Sequence, residues 1–297
     1  MGKEKEVKKF EFNRKSIICL ILISIIGIMS GIFVGNFFIG GPTVDYSAYS
    51  EAQLRDDVKT LSNKVGNNLP SKYKNYEIFE IAEYRMFEHG AFVVNATGKV
   101  STIANQTISS TKAFENGVYF KESLSAGVKN VGERTYYSKG GDVIVHSASK
   151  INKSTMTATY KEAKMKSYED VVGYNGVAPD SFVGYIVSSK TVKNQTGKVT
   201  KVTLDDGTDG YQFELELEPI LSVLNYVKQM KHLSQLSNYP VFSNIKLKVT
   251  VDKDFRFRII ETLENYSVNY MGANAGCKGT LKEIFTYGGE NVIPKTN

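Results

Sequence analysis

The chain has 297 residues, 41% hydrophobic and 23% charged, which allows one large or two small domains and excludes a wholly disordered chain. Two cysteines and three histidines build neither a disulfide framework nor a four-thiolate zinc site. Half of the net charge of +6 sits in residues 1–15, where Lys3, Lys5, Lys8, Lys9, Arg14 and Lys15 outweigh Glu4, Glu6 and Glu11. The remainder is close to balanced and offers no electrostatic trap for nucleic acid.

Residues 16–39 read SIICLILISIIGIMSGIFVGNFFI, without a charge. As a helix this run would reach about 36 Å, against roughly 30 Å of hydrocarbon. The pattern predicts a single-pass signal anchor, with the basic tail cytoplasmic and the chain beyond it extracytoplasmic. The run is longer than the apolar core of a cleaved signal, and no A-x-A-like site follows. Gly27, Gly31 and Gly35 fall four apart, a spacing that lets two spans pack as a homodimer. The expected plan is a cytoplasmic tail (1–15), an anchor (16–39), a linker (40–49), an extracytoplasmic β-rich domain (50–290) and a flexible tail (291–297).

After the linker, Ser50 and Gln53 form a capping-box pair, and Leu54, Val58, Leu61 and Val65 repeat at helical spacing. Strands are predicted over 76–87, 91–97, 99–109 and 117–124, broken at Gly90, Gly98 and Asn116-Gly117. Residues 133–149 read as a hairpin with Gly140-Gly141 at its tip, and 154–160 as a strand. A short helix is expected over 161–172, where Met165, Tyr168 and Val172 share a face.

The second half is patterned more sharply. Tyr211, Phe213, Leu215 and Leu217 alternate with Gln212, Glu214, Glu216 and Glu218. Ile245, Leu247, Val249 and Val251 alternate with Lys246, Lys248, Thr250 and Asp252, and Phe255, Phe257 and Ile259 with Arg256 and Arg258. One apolar and one charged face per strand is the pattern of an antiparallel sheet wet on one side. Pro219 opens an amphipathic helix whose apolar side is Ile220, Val223, Leu224, Val227 and Met230. Strands near 265–270 and 277–287 close the domain.

This order of elements resembles the LolA/LolB-like and LppX-like lipoprotein-binding fold over residues 50–288. The resemblance is clearest through DGYQFELELEP, YPVFSNIKLKVTVDKDFRFRIIETLENYSV and GCKGTLKEIFTY. It implies a curved sheet wrapped around helices, able to hold acyl chains between the two. Carriers of this type are soluble or lipid-anchored, whereas this chain has an apolar run of membrane length.

The fold class expected is therefore α+β: a transmembrane helix, then a curved antiparallel sheet of about 10–12 strands on two or three helices. The function expected is that of a non-enzymatic, membrane-anchored envelope protein binding a lipid, acyl chain or other apolar ligand, without cofactor or metal. Phe213, Leu215, Val223, Val227, Met230, Leu247, Val249 and Phe257 are the candidate cavity lining. Two alternatives stand beside it. One is a protein-interaction or sensor ectodomain. The other is a Cys277-dependent transpeptidase resembling sortases, although GANAG precedes Cys277 where sortases carry T-L-x-T, and no Arg follows. His89, His146 and His232 lie far apart, and Asp205, Asp206 and Asp209 with Gly207 and Gly210 fit a turn better than a calcium loop.

Overall fold

The computed structural model describes residues 44–56, 72–102, 105–127, 130–175, 177–182, 184–194, 198–233, 236, 238–270 and 273–295. The basic tail, the run 16–39 with Gly27, Gly31 and Gly35, the start of the linker, and the stripe residues Val58, Leu61 and Val65 lie outside them.

A short helix α1 (Glu51–Leu54) starts at the expected Ser50–Gln53 capping box, with the Ser50 N–H donating to Gln53 Oε1 at 3.0 Å. Helix α2 (Asn75–Glu88) occupies residues expected to be a strand. Its aromatic and β-branched residues favour strand, but Ile78, Phe79, Ile81, Ala82 and Met86 recur at helical spacing and all are buried. Glu77 closes the first turn by accepting from the Lys74 N–H at 2.7 Å.

The strands are β1 (Ala91–Ser101), β2 (Asn105–Glu115), β3 (Val118–Ala126), β4 (Val131–Ser138), β5 (Val143–Asn152), β6 (Thr157–Tyr160), β7 (Lys164–Lys166), β8 (Val192–Asn194), β9 (Thr200–Thr203), β10 (Asp209–Leu217), β11 (Val241–Asp252), β12 (Phe257–Tyr270) and β13 (Ala273–Tyr287). Helix α3 (Tyr168–Asn175) follows β7. A 3-10 turn (Leu221–Val223) leads into α4 (Leu224–Leu233), where Glu218 accepts from the Ile220 and Leu221 N–H groups at 3.0 and 2.6 Å.

All described strands join one antiparallel sheet in the order β6-β5-β4-β3-β2-β1-β13-β12-β11-β10-β8, with β7 beside β5 and β9 beside β10. The expected fold class is thus corrected. The described chain is mainly β, a single 13-stranded sheet with short helical cover, and none of its helices is long and apolar enough to cross a membrane. The added strands are short edge pieces. One of them, β7, takes part of the segment expected to be helical, because Met165 and its neighbours complete the edge of β5 and leave Met165 exposed.

Gly98 does not break a strand. β1 runs through it, and a Cβ there would lie 2.5 Å from the Thr280 carbonyl oxygen. The hairpins at Asn116-Gly117 and Gly140-Gly141 form as the sequence indicates. In β10 and β11 the expected alternation holds, and the pairing sets like faces together: Phe213 faces Val249, Leu215 faces Leu247, and Glu214 faces Lys248. Alternation fails after Phe257. A register shift opposite Thr250/Val251 turns Ile259 away and brings Ile260 into the core opposite Val249.

The main core lies between α2, α4 and the face of β10–β13 and β1 that carries Phe213, Leu247, Phe257, Phe285 and Phe92. The far face bears Glu214, Lys248 and Glu261, with Lys248 and Glu261 3.6 Å apart. Over β2–β4 that far face is covered instead: Ile293 packs against Ala113, Phe120 and Tyr136. Residues 291–295, expected as part of a flexible tail, are held there, with the Asn291 N–H donating to Glu115 Oε1 at 3.1 Å.

Candidate ligand-binding cavity

Along the helix-covered face the side chains change character. β10 and β11 present closely packed apolar residues, whereas from β12 to β4 charged and hydroxyl side chains intervene among the apolar ones. One row crosses from Glu283 through Ala96, Ser110 and Ser123 to Glu133; the next runs Val94, Lys112, Lys121, Thr135. Polar groups inside a fold cost free energy unless they are paired or wet, so this half cannot close like the core.

Residues 177–182 and 184–185 cross above these rows, and α4 flanks them. Between roof and sheet lies a cavity of about 160 Å³. Val100, Ile108 and Leu281 supply its apolar floor; Phe182, Tyr185 and Tyr226 contribute the roof and flank. A smaller recess of about 40 Å³ shares Lys121, Ser123, Val177 and Gln229 with it.

The roof is held by its carbonyls and by one ring. Lys112 Nζ donates to the Phe182 carbonyl at 2.7 Å and pairs with Glu283 at 3.1 Å. Lys121 Nζ donates to the Ala178 carbonyl at 3.4 Å and lies 5.5 Å above the Phe182 ring. Phe182 itself packs edge-on against Phe92 and Phe87. Lys112 and Lys121 face each other directly across β2 and β3. Burial, then the neighbouring Lys112 cation, push the Lys121 amine down to about 7, against the opposing pull of Asp180.

The other end of the cavity holds Glu264, 5% exposed, which accepts from the Tyr185 and Tyr226 hydroxyls, the latter at 3.2 Å. Burial raises its carboxyl above the ordinary value, and the two tyrosine bonds work against that rise. Gly279 faces it on β13, where a Cβ would lie 2.6 Å from a Glu264 carboxylate oxygen. The missing side chain is what gives Glu264 its place.

The residues singled out from sequence sit elsewhere. Phe213, Leu215, Val223, Val227, Leu247, Val249 and Phe257 are fully packed in the main core, Met230 is half-buried at its margin, and none of them lines either cavity. Cys277 is buried opposite Tyr266. Burial, with Glu264 nearby, pushes its thiol up to about 11, opposite to the direction a thiolate nucleophile requires. His89 and His146 contact the Ala91 and Lys161 carbonyls. Asp206, Gly207 and Thr208 form the turn from β9 to β10, with the Thr208 N–H donating to Asp206 at 3.0 Å.

Sequence reasoning missed Lys112 and Lys121. Lys112 fell beyond the predicted end of its strand. In β3 the apolar phase is Phe120, Leu124 and Ala126, which marks Lys121 and Ser123 as outward. Here both faces are covered, Phe120 by the C-terminal segment and Leu124 beside Gly132, Ala148 and Ile151, so the polar phase is also enclosed.

No family model matches the chain, and no curated protein matches it. Among solved structures, an inactive mutant of CurK dehydratase is 11% identical over 74% of this chain and 85% of that one, with a TM-score of 0.14. The dehydratase domain from the CurK module of curacin polyketide synthase is 12% identical over the same shares, with a TM-score of 0.13. Likeness at that level carries no argument about fold or function.

Proposed function

We propose that this chain is an extracytoplasmic binding protein at the cell membrane, whose domain holds a small amphiphile between sheet and roof. The observation that carries the reading is the cavity itself, apolar on its floor through Val100, Ile108 and Leu281 and polar at both ends. Its volume, about 160 Å³, limits the occupant. A dry cavity of about 150 Å³ takes benzene, and drug-sized ligands need roughly 300 Å³ or more. A short-chain amphiphile, or the terminal group of a longer one, fits; a whole acyl chain does not. The envelope location draws on the sequence alone: the charge-free run, the basic residues before it, and an exported cysteine without a disulfide partner.

Native mass spectrometry of the purified full-length chain, with organic extraction, tests this. The expected result is a copurifying small amphiphile, or its saturable rebinding, that is lost in Leu281→Trp, which fills the cavity floor. The reading fails if no amphiphile copurifies or rebinds, or if Leu281→Trp, folded by circular dichroism, binds as well as the parent.

A further inference from the structure

We propose that Lys121, beside Lys112, forms the acid-recognising end of this cavity, and that its ligand is an amphiphile ending in a carboxylate. The inference rests on the binding reading above and specifies the ligand's head group. Four observations carry it.

Lys112 is committed, to Glu283 and to the Phe182 carbonyl. At the far end Glu264 takes two tyrosine hydroxyls. Lys121 is different: among the described residues no carboxylate lies within ion-pair distance of it, and its one hydrogen bond, to Ala178, is long. An ammonium has three donors, so two are left for a ligand. Finally, Ser110 and Ser123 face each other one row away, and both line the cavity, adding hydroxyl donors beside the amine. Together these groups suit an oxyanion, while Ile108 and Leu281 receive the alkyl part.

The charges facing Lys121 set the pH behaviour. Lys112 lies opposite on β2; Glu133 on β4 lines the smaller recess; Asp180 belongs to the roof; Glu283 and Glu264 stand farther along the cavity. With only the protein's own groups around it the amine titrates at about 7, so close to half of it is uncharged at about pH 7. A bound carboxylate favours the ammonium, so binding takes up a proton and weakens as pH rises.

Calorimetric titration of the full chain with hexanoate, 1-hexanol and hexylamine separates the outcomes. Hexanoate is expected to bind at least about tenfold more tightly than hexanol at about pH 6.5. It should take up close to one proton at about pH 8, and weaken several-fold per pH unit above that. Lys121→Met is expected to bring hexanoate and hexanol within about threefold of each other. Lys121→Arg, always charged, should restore the acid preference while abolishing proton uptake. If hexanol binds as well as hexanoate, or hexylamine binds best, the head-group inference is overturned while the binding reading stands. If none of the three binds, both fall.

Discussion

Phe257→Ala is expected to lower the stability of the folded domain by about 3–5 kcal/mol, the usual cost of removing a buried aromatic ring. Phe257 is fully buried, edge-on to Phe79 of α2 at 4.8 Å and 5.2 Å from Phe285. It therefore joins the helix to two strands at the middle of the main core. The ring sits beside the register shift that brings Ile260 inward, so neighbouring side chains have little freedom to collapse into the space. Urea unfolding of the full chain, followed by tyrosine fluorescence because the chain has no Trp, measures the loss as a lower midpoint at unchanged slope. Ile284→Ala, at a position 46% exposed on the far face, should change stability by less than about 0.5 kcal/mol. Equal effects at the two positions would contradict the placement of the core.

Glu80→Gln is expected to stabilise the domain strongly at alkaline pH and little in mild acid. Glu80 is 1% exposed on α2, and neither carboxylate oxygen accepts a well-formed hydrogen bond from a described residue, the Asp56 N–H approaching only in poor geometry. Burial, then the carboxylates of Asp56 and Glu83, push its pKa from 4.5 up to about 8, only partly offset by the Asp56 backbone N–H and by Arg55. Arg55 is engaged elsewhere, gripping Glu83 through two bonds of 2.9 Å and Glu51 through one of 2.6 Å.

Because the folded pKa lies above the unfolded one, the folded chain keeps a proton that the unfolded chain releases. Stability therefore falls as pH rises from about 4.5 to about 8, and the whole cost is present beyond that. Lys121 acts in the opposite sense, since its folded value of about 7 lies below the ordinary 10.5, so its cost fades as pH rises through that window. Unfolding midpoints of parent and Glu80→Gln at about pH 5 and about pH 9 isolate the first effect. The gain at the higher pH should be on the order of 2–4 kcal/mol. A gain that does not change with pH would show that Glu80 is not held neutral.

Strict alternation made β10 and β11 legible, because one face of each is core and the other is water. The Asn116-Gly117 turn was equally plain, since only residues that tolerate positive φ suit it. Helix α2 was not legible as a helix, because Tyr, Ile and Phe dominate its composition while its buried spacing follows the helical period. The cavity was harder still. Its residues come from β1, β2, β3, β12, β13, the roof and α4, and no local pattern joins Lys112 to Glu283 or Tyr185 to Glu264. Alternation assigns each strand one buried face. In β3 it selects Phe120 and Leu124, and thereby hides the enclosed Lys121 on the other.

The central claim is that ligand enters the polar half of the helix-covered face and not the apolar core. Methyl-resolved NMR of the full chain during titration with hexanoate tests it most directly, because the two regions carry different methyl groups. The expected result is a saturable shift at Val100, Ile108, Val177 and Leu281, with Leu215, Leu247 and Val249 unmoved. Shifts confined to Leu215, Leu247 and Val249, or no saturable shift at any methyl, would contradict the account.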